Sequence, residues 1–150
     1  NVDNDRIYVY GGSYGGYLTA MALGRNSDIF SGGVDIHGVH DRTRYSYLNS
    51  NFYEKPSDYS LGRRTAWKSS PVSNVDTWKS PVLIIHADDD RNVDFRQSTD
   101  LVQRLRKKNI YMETMVIVDD THHFMMFENQ MKVNKATADF LIRLSKGLIK

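Results

Sequence analysis

The sequence predicts an α/β protein in which helices flank a mainly parallel β-sheet. Short, almost continuously apolar segments alternate along the chain with longer segments whose apolar residues recur at helical spacing. Continuous apolar character is typical of parallel strands, because both of their faces are buried. The alternation indicates βαβ units, since a parallel connection has to cross the sheet.

Four strands and three helices are predicted in alternating order. The strands are expected at residues 7–10, 33–36, 82–86 and 113–118, and the helices at 14–25, 95–108 and 129–146. The segment between Val39 and Lys79 is polar and aromatic. It is too long for a bare loop, so short helices over the edge of the sheet are expected there.

Composition fits one ordinary globular domain and excludes several classes of function. The 150 residues are 40% hydrophobic, and 20 basic against 18 acidic residues leave a net charge of +2, so no nucleic-acid partner is expected. No apolar segment approaches the roughly 20 residues that span a bilayer, so no membrane partner is expected either. Cysteine is absent, which excludes disulfides, thiolate catalysis and Cys-ligated metals.

The segment 10–17, YGGSYGGY, contains the pattern G-x-S-x-G between a predicted strand and a predicted helix. In that position the pattern indicates a nucleophile elbow, a tight turn that holds Ser13 in a strained conformation and requires neighbours without side chains. The N–H of Tyr14 then points to where an oxyanion would form. A phosphate-binding loop is the alternative, but neither G-x-x-x-x-G-K-[ST] nor G-x-G-x-x-G is present.

A nucleophilic serine needs a general base and a carboxylate that orients it. Candidates follow the last two predicted strands, in the chain order serine, acid, histidine that this kind of elbow requires. The first loop offers Asp88, Asp89 and Asp90, and the second offers Asp119, Asp120, His122 and His123. His86, at the end of an apolar strand, is interpreted as a packed structural histidine rather than a catalytic one.

These loops do not predict a metal site, and no cofactor is expected. The spacing of Asp88, Asp90 and Asn92 resembles the start of an EF-hand, but Val93 and Thr99 stand where that loop needs glycine and glutamate. The adjacent pair His122-His123 is unsuited to converge on one ion, and the sequence lacks an H-E-x-x-H motif.

Together the motifs resemble the catalytic domain of the prolyl oligopeptidase family of serine peptidases, especially its bacterial dipeptidyl-peptidase-like and acylaminoacyl-peptidase-like members. The matching segments are the elbow at 11–17, the stretch 33–41, the acid loop 80–93 (in the family H-G-x-x-D-x-x-V) and the histidine loop 119–122. The resemblance implies the α/β-hydrolase fold, hydrolysis of a peptide substrate, and no cofactor.

The resemblance also implies roles for individual residues. Ser13 corresponds to the nucleophile, Asp90, three residues before Val93, to the orienting acid, and His122, directly after the acidic turn, to the general base. Tyr14 corresponds to a donor of the oxyanion hole. Four residues fall at or near positions where the family lines its specificity pocket: His37, His40, Asn92 and Val93.

Two departures from the family pattern lead to further expectations. Ala87 stands where glycine is usual, a small change. More importantly, the family's sheet has about eight strands, so residues 1–150 are expected to be the carboxyl-terminal part of a catalytic domain, without the earlier strands, the tyrosine that completes the oxyanion hole and the β-propeller. An unpaired edge on the first strand then favours a homo-oligomer.

Some questions stay open at this point. The start of the chain carries no signal-peptide pattern, and the compartment, cytoplasmic or periplasmic/secreted, is not decided. An esterase or lipase on the same fold and an inactive folding unit are the alternatives to a peptidase.

Overall fold

The computed structural model describes residues 3–44 and 57–149. Its strands are β1 (Tyr8–Gly12), β2 (Gly32–Ile36), β3 (Val82–Ala87) and β4 (Met112–Ile117). Its α-helices are α1 (Tyr14–Arg25), α2 (Tyr59–Lys68), α3 (Arg96–Lys107) and α4 (Phe127–Ser145), and a short 3₁₀ helix covers Pro71–Asn74. The α2 and 3₁₀ helices lie in the segment where short helices were expected; residues 45–56 of that segment lie outside the described residues.

All pairings in the sheet are parallel, and the strands stand in the order β1-β2-β3-β4. The predicted fold class, a mainly parallel sheet with flanking helices, is therefore confirmed. The two inner strands β2 and β3 are buried along their whole length, in agreement with their mainly apolar or small residues; Asp35 and His86 are the polar exceptions. Within the described residues β1 is an outer strand, so the elbow lies at one side of the sheet.

Two apolar cores cover the two faces of the sheet, and the alternation of side chains along β3 divides them. On one face, Leu83, Ile85 and Ala87 pack against α4. On the other, Val82 and Ile84 pack against α1, α3 and Trp78. The main buried contacts that the helices contribute are Val133, Phe140 and Leu144 from α4, Ala20 and Leu23 from α1, and Leu101 and Leu105 from α3.

Helix α1 lies directly against the end of β2, and Gly16 makes this approach possible. A Cβ on Gly16 would lie 2.6 Å from Asp35 Oδ1, 2.7 Å from the Ile36 carbonyl oxygen and 2.9 Å from the Cα of Gly38. Gly15, its neighbour within the G-x-S-x-G pattern, has nothing within 4 Å of such a Cβ. The expectation that the neighbours of Ser13 must be glycine therefore holds at Gly16, where a Cβ would collide, but not at Gly15, where there is room for one.

We expect Gly16→Ala to lower the free energy of unfolding by about 2 kcal/mol or more, because the added methyl group meets backbone that cannot move independently. Gly15→Ala is the matched control, and we expect it to be neutral or to stabilise by up to about 1 kcal/mol through helix propensity. Urea unfolding of both variants measures the difference. Equal effects at the two positions would contradict the packing described above.

Among the described residues, no helix is both long enough and apolar enough to cross a membrane.

Candidate active site

Ser13 occupies the turn between β1 and α1 in a conformation that side chains rarely adopt, with φ 56° and ψ −116°. Its N–H donates to the carbonyl oxygen of Ile36 at 2.9 Å, and its own carbonyl accepts from Tyr17 of α1 at 3.0 Å. These bonds fix the turn from both sides, which is how a strained backbone persists. The side chain is half-buried, so its hydroxyl stays within reach of a substrate.

Asp90 is placed by the loop that follows β3. Its Oδ1 accepts the N–H groups of Asn92 at 2.8 Å and Val93 at 2.9 Å. Burial alone would raise the pKa of the Asp90 carboxyl, but these bonds and the one from His122 outweigh it and hold the pKa below its ordinary value. Asp90 is therefore a carboxylate at neutral pH. Asp88 and Asp89 beside it are exposed.

His122 is placed by the loop that follows β4, and it joins the other two groups. Its Nδ1 lies 2.6 Å from Asp90 Oδ2, and its Nε2 lies 2.9 Å from Ser13 Oγ. Because the Asp90 carboxylate only accepts, Nδ1 carries the proton and Nε2 presents a lone pair to the serine hydroxyl. The three residues thus form one hydrogen-bonded chain, from half-buried Ser13 to the buried carboxylate of Asp90.

The buried carboxylate of Asp120 holds the histidine loop in place. Its Oδ1 accepts the N–H groups of Thr121 at 2.7 Å and Met125 at 2.8 Å, and its Oδ2 accepts from Asn129 in the first turn of α4 at 2.8 Å. Burial by itself raises the pKa of Asp120, yet these bonds outweigh it and leave the pKa below the ordinary 3.8. The carboxylate therefore ties the loop of His122 to the start of α4.

We expect the free energy of unfolding to decrease in acid partly because of Asp120. A carboxyl whose pKa is lowered by folding stabilises the protein above its unfolded pKa, and this stabilisation is lost as the pH falls through the folded pKa. Asp120→Asn should therefore be less stable at pH 7 and should lose less stability than the wild type below about pH 4. Urea unfolding across this pH range measures both effects. Asp119→Asn is the control, because Asp119 is the exposed neighbour of Asp120. Its stability should depend on pH as that of the wild type does. If both variants changed the pH dependence of stability equally, the effect could not be assigned to Asp120.

His37, at the end of β2, packs against His122 rather than standing apart in a separate pocket. Its ring centroid lies 4.1 Å from that of His122 and 5.3 Å from that of Phe124. Burial, with the neighbouring His122 and His86 rings, lowers the pKa of His37 to about 4. The ring is therefore neutral, and it also lines a cavity of about 250 Å³ beside β1.

The structure does not bring His40 or Val93 to a pocket surface, contrary to the expectation from the family resemblance. His40 is fully buried, with Nε2 2.5 Å from Asp35 Oδ2 and Nδ1 2.9 Å from the carbonyl oxygen of Gln97. Val93 is 2% exposed, and its backbone serves the acid loop. Of the four residues expected at the pocket, Asn92 is exposed and His37 lines a cavity.

His86 has a closer relation to the site than the sequence indicated. Its Nε2 lies 3.0 Å from the Val93 carbonyl oxygen and 3.2 Å from Asp90 Oδ2, and its Nδ1 lies 2.7 Å from the hydroxyl of Ser98. Burial lowers the pKa of His86, so the neutral ring donates from Nε2 and accepts from Ser98. The His86–Asp90 contact extends the chain behind the carboxylate; the two residues are the first and fifth positions of the H-G-x-x-D-x-x-V pattern, which does not by itself show that they touch.

The first residue of α1, Tyr14, places its N–H at the positive end of that helix. The phenol ring is 64% exposed and packs at 5.2 Å from the ring of Tyr17. The backbone group and the serine hydroxyl therefore lie on the same turn, which is the position expected for an oxyanion donor.

The sequence profile of the prolyl oligopeptidase family matches residues 1–147. This chain belongs to the prolyl oligopeptidase family. Dipeptidyl aminopeptidase BIII of Pseudoxanthomonas mexicana is 30% identical over 153 residues, which cover 95% of this chain and 22% of that protein.

Solved structures of prolyl oligopeptidase relatives have the same fold. Dipeptidyl peptidase 4 of Porphyromonas gingivalis superposes with a TM-score of 0.78 at 26% identity, over 94% of this chain and 20% of the other. Acylaminoacyl peptidase of Pyrococcus horikoshii superposes with a TM-score of 0.75 at 28% identity, over 95% of this chain and 24% of the other. The chain therefore spans about a fifth to a quarter of the length of these relatives.

Proposed function

We propose that this chain carries the catalytic triad of a serine peptidase that hydrolyses peptide bonds of oligopeptides through an acyl-enzyme. The observation that carries the proposal is the hydrogen-bonded chain Ser13–His122–Asp90, with contacts of 2.9 Å and 2.6 Å. The direction of its hydrogen bonds supports nucleophilic catalysis, because the lone pair of His122 Nε2 faces the serine hydroxyl and can accept its proton. Membership in the prolyl oligopeptidase family supports a peptide as the substrate.

In the proposed reaction, Ser13 Oγ attacks the peptide carbonyl carbon while His122 Nε2 takes the hydroxyl proton. The Asp90 carboxylate holds the imidazole tautomer and stabilises the imidazolium that forms. The N–H of Tyr14 donates to the oxyanion of the tetrahedral intermediate, and one such donor contributes about 3–4 kcal/mol to transition-state stabilisation.

The intermediate collapses when the C–N bond breaks and His122 gives its proton to the leaving amine, which leaves an ester on Ser13. Water then attacks the ester carbonyl and passes a proton to His122. The proton returns to Ser13 Oγ as the acid product leaves, and the triad is restored. His86 and Ser98 act as positioning residues in this scheme: His86 contacts Asp90, Ser98 contacts His86, and neither touches the reacting atoms.

We further propose that residues 1–150 form the carboxyl-terminal part of the α/β-hydrolase catalytic domain of a longer protein. The length of the relatives supports this proposal. So do large apolar side chains that are exposed, among them Tyr10 on β1 and Met125 and Phe127 around the start of α4, at 57%, 73% and 75%. The expected self-association through this edge stays a prediction.

Labelling with a fluorophosphonate probe, followed by peptide mass mapping, tests the proposed nucleophile. We expect a single adduct on Ser13 and unchanged labelling in the control Ser31→Ala, whose exposed hydroxyl bonds only the Asp5 carbonyl oxygen among the contacts described. An adduct on another residue, or peptide hydrolysis without an adduct on Ser13, would contradict the mechanism. Matched amide and ester substrates separate peptidase from esterase, since turnover of the ester alone would favour an esterase.

A further inference from the structure

We propose that a zinc ion binds among His37, Asp90 and His122 and reversibly blocks the candidate active site. The binding itself is argued from geometry, whereas the blocking rests on the proposed function. The sequence pointed away from metals because it offered only the adjacent pair His122-His123. The fold supplies a different histidine, which lies 85 positions before His122 in the chain.

The three residues come from the ends of three neighbouring strands. His37 follows β2, Asp90 follows β3 and His122 follows β4, and the carboxyl ends of parallel strands meet at one edge of the sheet. One ligand atom from each lies within 4.8 Å of the other two. All three residues are at least nine-tenths buried, with exposed fractions of 7%, 7% and 6%.

His37 has an unsatisfied polar atom, which is a second observation in favour of a ligand. Its Nδ1 is buried and has no hydrogen-bond partner, although nearly all buried polar atoms in proteins have one. A neutral imidazole keeps one lone pair whichever nitrogen carries the proton. His37 can therefore act as a ligand without first breaking a strong hydrogen bond at that nitrogen.

Two imidazole nitrogens and one carboxylate oxygen form a donor set that zinc binds with a fourth position left open. Bonds of about 2.0–2.2 Å place tetrahedral ligands roughly 3.3 Å apart. The three ligand atoms now lie within 4.8 Å of one another, so the longest distance between any two of them would have to shorten by roughly 1.5 Å at most. Zinc binding requires side-chain rotations of this size, among them a turn of the His37 ring, which now packs with its centroid 4.1 Å from that of the His122 ring.

Zinc at this position would hold the two groups that activate Ser13. Once His122 and Asp90 are ligands, the imidazole is no longer oriented to take the serine proton. No covalent bond is formed, so a chelator should restore the site. Exposed His123 provides the matched control, because it is the next residue in the chain but is not part of the cluster.

Cobalt(II) serves as a spectroscopic probe of binding that does not depend on catalysis. We expect the wild type, Ser13→Ala and His123→Asn to bind one Co²⁺ per chain with absorption typical of a tetrahedral site, and zinc to displace it. His37→Asn keeps a residue that tolerates the positive φ of 42° at this position, and it should bind at least about tenfold more weakly. His122→Asn is the second variant and should lose the same absorption.

The effect on the site is measured as the rate of fluorophosphonate labelling with and without zinc, each variant being compared with itself. Zinc should slow labelling of the wild type and His123→Asn at least about tenfold, and EDTA should reverse this. His37→Asn should respond less than about twofold. Unchanged Co²⁺ binding in folded His37→Asn, or no binding to the wild type, would overturn the proposal. If the wild type bound Co²⁺ with this dependence on His37 but was never labelled, the metal site would stand, and the blocking, which rests on the proposed function, would not.

Discussion

Ser13→Ala is expected to lower kcat for peptide hydrolysis by about 10⁶-fold, a loss that no other single change in this chain should exceed. In the proposed mechanism this hydroxyl forms the acyl-enzyme, and no other described side chain accepts from or donates to His122 Nε2. KM should change little, because the alanine leaves the surfaces around the site in place. Steady-state kinetics on a chromogenic peptide amide measure both constants.

The triad predicts a particular pattern of non-additivity. If Ser13 and His122 act as one unit, His122→Ala alone should cost about as much as Ser13→Ala, and the double variant should be no slower than either. Losses that multiply in the double variant would show that the two residues act independently, and a Ser13→Ala protein at the wild-type rate would end the assignment of the nucleophile.

Asp90→Asn is expected to lower kcat by about 10⁴-fold while leaving the fold intact. The amide oxygen of asparagine can still accept the two backbone N–H groups that now bond Oδ1 of Asp90. Its amide nitrogen, however, would take the place of Oδ2 and face the N–H of His122. Because two donors cannot pair, the imidazole would turn or change tautomer and lose its hold on Ser13.

Asp89→Asn is the control, since Asp89 is exposed and lies next to Asp90 in the chain. We expect its kcat to stay within about twofold of the wild type, in keeping with surface substitutions generally. Thermal unfolding of both variants checks that Asp90→Asn is folded. A large loss in Asp89→Asn with normal activity in Asp90→Asn would mean that the acid has been assigned to the wrong aspartate.

Local sequence was sufficient to place the elements that position Ser13. Helix α1 is found at Tyr14–Arg25, as predicted, because glycines mark the turn at its start and apolar periodicity continues to its end. The other helix bounds differ by one or two residues from the prediction. Asp90 could be chosen among three consecutive aspartates only through the family resemblance; the structure separates it from the other two by burial.

Sequence patterns could not give the contacts that depend on how neighbouring strands align. His37 meets His122, and His40 meets Gln97, 57 positions away, because the ends of parallel strands and the start of α3 converge. For the same reason the sequence could not show that the His40 ring is buried and bonded to Asp35 and Gln97. His86 was interpreted as structural because it ends an apolar strand, and the H-G-x-x-D-x-x-V pattern does not show that the loop brings Asp90 back to it.

From the order of the strands we also expect the site to form late in folding. Ser13 and His122 are 109 positions apart, the first following β1 at one side of the sheet and the second following β4 at the other. Chains dominated by such distant pairings fold slowly, because long loops must close before the pairing stabilises them. Asp90 can reach the site only after β3 has paired with β2, and His122 only after β4 has paired with β3. The return of reactivity at Ser13 after dilution from denaturant would therefore time completion of the whole sheet, and not the closure of any single turn.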